Sequence, residues 1–220
     1  MASRTHFRAL RGEVGVSEEK VGADNAGKDD ARSALRRRDR GKEEPWVTDF
    51  MIQAPCGFMA TVGKDGQPFL NSNLYFYDQE RHCIYLHTHR SGKTRDNVEQ
   101  VQKVAFSVAA MGRFLPAPEA LEFSVEYAGV VAFGIGTIVE DAGECRFALQ
   151  AILDKYAPHL TPGEDYRPTT DDELKRTAVF RIDIETWSGK QKEVEEDFPG
   201  AYALPELVVP FPVRLEQPPE

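Results

Sequence analysis

Apolar and polar residues alternate with a period of two through much of the chain, and this alternation predicts β-strands. Phe58 to Val62 is the first, closed by the turn signal Lys64-Asp65-Gly66. Phe69 to Tyr77 is the second, with Leu70, Ser72, Leu74 and Phe76 on one face and Phe69, Asn71, Asn73, Tyr75 and Tyr77 on the other. Cys83 to His89 is the third: Ile84 and Leu86 share one face, Tyr85, His87 and His89 the other. Lys103 to Ala110, Phe123 to Glu140 and Thr177 to Trp187 follow, and Gly129, Gly134 and Gly136 predict bends or bulges in the long one. Helical spacing predicts a short helix through Phe50, Met51 and Ile52, and further helices over 92–101, 144–157 and Asp171 to Lys175. Gly112 to Ala120, with Pro116 and Pro118, is expected to be a loop, and Ser188-Gly189-Lys190 to end the last strand. Mostly adjacent strands with short intervening helices predict a mainly β, α+β fold: an antiparallel barrel with helical covers.

Composition marks out the ends. Residues 1–44 hold few large apolar side chains and many charges, so they are expected to form a disordered arm, with the folded domain over 45–192. The tail over 193–220 carries Pro199, Pro205, Pro210, Pro212, Pro218 and Pro219 and is expected to lack regular structure. The net charge of −9 is uneven: residues 1–44 carry 11 Lys and Arg against 9 Asp and Glu, and the remainder carries 16 against 27. An acidic body repels nucleic acid and anionic membrane, so neither is an expected partner. Arg36, Arg37, Arg38 and Arg40 form a basic run, but its acidic neighbours favour a solvated tail. Cys56, Cys83 and Cys145 form no CxxC pair, and this odd count fits a reducing compartment such as the cytoplasm.

The chemistry-bearing stretch is residues 84–97, a strand, a tight turn and a helix start. Ser91 offers a capping hydroxyl and Gly92 lets backbone approach a ligand. A helix starting here points unpaired N–H groups outward, and Arg90, Lys93 and Arg95 add positive charge, which together suit a phosphate. The plainer reading is a solvated Ser-Gly turn with surface cations. Asn71 and Asn73 are poor strand formers; either they offer hydrogen bonds to a ligand or they face water on an edge. His87 and His89 share a strand face near His82 and Cys83, but four well-spaced ligands for structural zinc are missing, so no metal site is expected.

Five stretches in order carry a resemblance: IYLHTHRSGKTRDNVEQVQKVAFSV (84–108), GRFLPAP (112–118), EYAGVVAFGIGTIVED (126–141), ALQAILDKYAPHL (148–160) and DELKRTAVFRIDIETWSGK (172–190). Together they resemble the FMN-binding split-barrel superfamily of pyridoxamine 5′-phosphate oxidase, and within it the nitroimidazole-resistance branch. The resemblance implies a Greek-key split barrel and a homodimer with FMN at the subunit interface. Thr88, Gly92 and Lys93 would then grip the phosphate, with Asn71 and Asn73 beside it and His87 next to the flavin. Trp187 and Lys190 would close the site. The implied activity is reduction of nitroaromatic or quinone-like small molecules by an FMN-dependent oxidoreductase, with NAD(P)H as a possible donor and no catalytic residue identified. A non-catalytic FMN carrier and a haem-binding relative, with His87 or His89 as axial ligand, are the alternatives.

Two departures limit this. Where branch members read Tyr-Arg-Ser, this chain has Tyr127-Ala128-Gly129, without the cation and the hydroxyl. Residues 69–77 contain no Lys or Arg, so the cationic strand that marks oxidation of vitamin B6 is missing.

Overall fold

The computed structural model describes residues 30–203. Eight strands form one sheet: β1 (Gly41–Lys42), β2 (Gly57–Val62), β3 (Pro68–Asn73), β4 (Tyr75–Asp78), β5 (Cys83–His89), β6 (Lys103–Leu115), β7 (Ser124–Ile138) and β8 (Thr177–Lys192). The helices are α1 (Glu44–Gln53), α2 (Lys93–Gln100), α3 (Ala142–Tyr156) and α4 (Asp171–Leu174). The strand order is β3-β2-β6-β7-β8-β5-β4, with β1 attached to β8, and every pairing is antiparallel. This is the expected antiparallel split barrel with covering helices.

The split lies inside a segment whose pattern predicts one strand. Phe69 to Tyr77 alternates without interruption, yet the ladder breaks at Leu74. β3 and β4, on either side of that residue, are the two outer strands of the sheet order. Asn73, Tyr75 and Tyr77 still turn inward, so the predicted faces hold across the break.

Alternation then sorts the residues. Met59, Tyr75, Tyr77, Ile84, Leu86, Val104, Phe106, Val108, Val130, Ala132, Phe180 and Ile182 fill the interior, where Val47 and Met51 of α1 join them. On the far side of β5 and β8, Cys83, Tyr85 and Val179 pack against Ala148 of α3. The outer side of β3 and β2 receives no helix and leaves Leu70 66% and Phe58 46% exposed.

Three boundaries differ from expectation. β6 runs through Gly112 to Leu115 rather than stopping at Ala110, with its irregularity between Met111 and Phe114. β8 continues through the Ser188-Gly189-Lys190 stretch to Lys192, because Val130 and Gly129 on β7 still pair with Gly189 and Lys190. Residues 30–44 belong to the folded body rather than to a disordered arm. Arg32 pairs with Glu185 at 2.6 Å, the Thr186 hydroxyl bonds to the buried Ser33 hydroxyl at 2.7 Å, and β1 pairs with β8. The tail also starts by packing on the barrel: Arg113 donates to the carbonyls of Val194, Glu195 and Glu196, and Phe114 and Tyr202 exchange backbone hydrogen bonds. Residues 1–29 and 204–220 lie outside the described residues.

Candidate functional site

β5 ends at His89, where the Arg90 N–H donates to the Arg176 carbonyl at 2.9 Å and turns the chain outward. Gly92 then takes φ +148°, a conformation that side-chain-bearing residues rarely adopt. A Cβ there would meet nothing within 4 Å, so the need for glycine is conformational rather than steric. Helix α2 starts at Lys93 with Gly92 as its cap residue and no side chain capping it. Its first intrahelical donor is the Asp96 N–H, bonded to the Gly92 carbonyl at 3.1 Å, so the N–H groups of Lys93, Thr94 and Arg95 precede the ladder. Ser91, expected as the cap, turns its hydroxyl to His89 Nδ1 at 3.2 Å instead.

Asn71 and Asn73 come to this first turn from β3. Asn71 Nδ2 donates to Asn73 Oδ1 at 3.2 Å and reaches Thr94 Oγ1 at 3.5 Å, while Asn73 Nδ2 donates to the Asn71 carbonyl at 2.8 Å. Asn73 is buried, which excludes the edge-facing-water reading for it. Lys93 leans over the end of β2. A Cβ on Gly63 would meet Asp65 Oδ1 at 2.7 Å, Lys93 Nζ at 3.3 Å and Asn97 Oδ1 at 3.4 Å, so the bare glycine lets three polar groups converge. Arg95 belongs to the helix flank: it pairs with Glu99 at 2.8 Å and approaches Glu140 at 3.9 Å.

His87 and Thr88 lie on opposite faces of the last turn of β5, opposite Val179 and Ala178. The Thr88 hydroxyl donates to the His89 carbonyl at 2.9 Å. His87 is exposed, yet the surrounding protein desolvates its imidazole and lowers its pKa below the ordinary histidine range.

The expected closing residues do not reach this cluster within one chain. Trp187 packs inward, its ring centroid 4.6 Å from His82 and 5.5 Å from Tyr77. Lys190 sits over Tyr127 with Nζ 5.6 Å from the ring centroid. Val179 is the β8 residue opposite His87, so the eight residues from it to Trp187 place the two roughly 25 Å apart along a strand. The physical reason is the length of β8, which carries the WSGK stretch straight on instead of folding it back.

Sequence reasoning missed Gly63, Thr94, Thr61 and Asn97. Thr94 and Asn97 lie within the quoted helix start, at the spacing that faces them toward β2 and β3, and this spacing was the available signal. Nothing local marks Gly63 or Thr61. Among the described residues no group of three or more His, Cys, Asp or Glu could hold a metal ion, no helix is long and apolar enough to cross a membrane, and all three cysteines are free.

Three leading N–H groups beside a glycine with open space above it suit an anion such as a phosphate monoester, while the exposed Lys93 ammonium is turned toward Gly63 and Asn97 and the Asn71 and Asn73 amides bond to each other and to Thr94.

Comparisons with solved structures agree on the fold. The flavocytochrome Anf3 of Azotobacter vinelandii is 20% identical with a TM-score of 0.67, over 87% of this chain and 94% of that one. The FAD and heme binding protein of Mycobacterium smegmatis is 22% identical with a TM-score of 0.63, over 70% and 74%. A candidate 5-nitroimidazole antibiotic resistance protein of Bacteroides thetaiotaomicron is 17% identical with a TM-score of 0.57, over 69% and 89%. A search among curated proteins finds no significant match. The family model described as pyridoxamine 5′-phosphate oxidase matches residues 46–191, nearly the whole barrel, and the chain belongs to that family.

Proposed function

We propose that this chain is an FMN-dependent oxidoreductase that reduces nitroaromatic or quinone-like small molecules with electrons from NAD(P)H. The observation that carries the reading is the uncapped first turn of α2, which would seat a phosphate, in a chain that belongs to the pyridoxamine 5′-phosphate oxidase family. Lys93 and the leading N–H groups would hold the phosphate, and Asn71, Asn73 and Thr94 the polar chain next to it. Gly92 keeps the approach open, and Thr88 lines the strand end. Bound FMN supplies the two-electron chemistry. The protein supplies position, with exposed His87 near the end of β5.

A twofold dimer completes the proposal. Leu70 and Phe58 lie on the outer side of β3 and β2 without a helical cover, and a second copy docking there buries them. The partner's Trp187 and Lys190 would then close the seat that this chain's own copies do not reach. The free cysteines favour the cytoplasm.

Haem binding is the second reading, favoured by the names of two structural relatives, a flavocytochrome and a FAD and heme binding protein. Exposed His87 would offer a ring nitrogen to iron. The absorbance spectrum of the purified protein separates the readings. Flavin bands, with FMN preferred over FAD on titration, support the proposal. A Soret band without flavin bands overturns it, and bound FMN that no NAD(P)H reduces leaves a non-catalytic carrier.

A further inference from the structure

The family match begins at residue 46, but β1 places the preceding segment on the barrel. Gly41 pairs with Lys190, and the short turn before β1 delivers Arg40 to Tyr127. Arg40 Nη1 donates to the phenolic oxygen at 2.8 Å, and the guanidinium carbon lies 5.7 Å from the ring centroid. Lys190 Nζ lies 5.6 Å from the same centroid. Lys192 stands directly opposite Tyr127 on β8, and its ammonium bonds to the Ser124 hydroxyl. Two cations therefore lie against one half-buried tyrosine, and a third stands across the ladder from it.

Among the described residues none of the three forms an ion pair. The nearby carboxylates are engaged elsewhere: Asp39 with Arg37 at 2.6 Å, Glu126 with Arg113 at 2.7 Å, and Glu193 with the Gln191 amide at 3.1 Å. In a chain of net charge −9, such a cluster repels itself unless an anion joins it. Glu43, Glu44, Glu195 and Glu196 flank it in sequence and are exposed, which disfavours a long polyanion and favours a small ligand. The cluster also restores positive charge at Tyr127, where Ala128 and Gly129 provide none.

We propose that Arg40, Lys190 and Lys192, gathered around Tyr127, form a second anion site that takes the diphosphate of a nucleotide co-substrate. Three cations match the charge of such a group, and the tyrosine ring offers a flat surface beside it. The role of co-substrate rests on the flavin-reductase reading, since a two-electron reduction needs a donor; the anion site stands without it.

The test is calorimetric titration of ADP, and then of inorganic pyrophosphate, into the full chain at low ionic strength. Arg40→Gln and Lys190→Gln should each weaken ADP roughly tenfold, with pyrophosphate competing and added salt weakening both. Arg40→Lys should retain most of the affinity, and circular dichroism melts verify that each variant folds; if Arg40→Gln does not, Lys190→Gln alone decides. FMN affinity should be unchanged in Arg40→Gln, a residue outside the proposed flavin seat. Equal ADP affinity in the native and doubly substituted proteins overturns the site. Loss of FMN together with ADP in Arg40→Gln overturns its separateness and makes Arg40 part of the flavin seat. Tighter binding of a short single-stranded DNA than of ADP overturns the small-ligand assignment. A native protein that binds ADP but not FMN supports the site and removes the flavin reading; one that binds FMN but not ADP does the reverse.

Discussion

Asn97 donates from Nδ2 to the Thr61 hydroxyl at 2.9 Å, and both side chains are almost completely shielded from water. This bond ties α2 to β2 and so fixes where the leading N–H groups of the helix point. Asn97→Ala leaves the threonine hydroxyl without its donor and should destabilise the protein by about 1–3 kcal/mol. Adding Thr61→Val removes the stranded hydroxyl and should recover part of that loss. Urea denaturation of the two variants measures both effects, and a cost confined to noise would show that α2 is held by packing alone.

Lys93→Ala tests the seat. An ammonium bonded to a phosphate dianion contributes about 1.5–3 kcal/mol, so FMN should bind roughly ten- to a hundredfold more weakly. Riboflavin lacks the phosphate and should bind the native and variant proteins equally. Fluorescence titration with both ligands distinguishes loss of phosphate recognition from general damage, which would weaken the two alike.

Lys155 predicts an alkaline signature. Its ammonium donates to the Ala54 carbonyl at 3.0 Å and lies 3.6 Å from the Tyr75 ring centroid, and burial lowers its pKa from the ordinary lysine value to about 8. Through Lys155 the unfolded chain therefore binds more protons than the native one between about pH 8 and the ordinary lysine pKa, and this group's contribution to stability should rise with pH across that window, against the opposite contribution of Cys83, whose thiol burial pushes up to about 11. The contribution should be absent in Lys155→Met. Denaturation midpoints of both proteins at pH 8 and pH 9.5 decide it: the native protein should gain stability relative to Lys155→Met as pH rises, and a relative loss would contradict the sign.

The proposed dimer face can be tested without touching the interior. Phe58→Lys combined with Leu70→Asp puts charge on the outer sheet surface, where both residues are exposed in the single chain. Light scattering should then report a monomer with an unchanged melting profile for the barrel. A native protein that is already monomeric with FMN bound would count against the shared site.

Much of this was legible in the residues themselves. Cys83–His89 forms a strand of the expected length because its alternation matches burial on both faces, the interior and the α3 side. The break at Leu74 was hidden, since alternation records which way side chains point and not which strand lies alongside. The pairing partner changes there while the side-chain pattern continues. Residues 30–44 were misread for a related reason: their charge suits solvent, but they are held by specific partners distant in sequence, Glu185, Thr186 and Tyr127. Gly92 and Lys93 stand together in the strand–turn–helix stretch, and Asn71 and Asn73 stand out as amides in a strand, but the resemblance alone joined the two pairs. Trp187 and Lys190 were joined to them by motif alone, and the register of β8 keeps them apart within one chain.

β8 has a consequence for how the molecule is made. It is the only strand among the described residues that pairs with three others, β1, β5 and β7, and it is the last in the chain. During synthesis β2, β3, β6 and β7 can zip together as soon as they emerge, since each finds a partner among the others, with one edge of β7 left open for β8. The β4–β5 hairpin has no such neighbour until residues 177–192 leave the ribosome, and β1 waits longest, from residue 41 to residue 190. The nascent chain thus carries a half-sheet with an open edge from the end of β7 at residue 138 until β8 begins at residue 177, and this is the interval in which it is most exposed to aggregation.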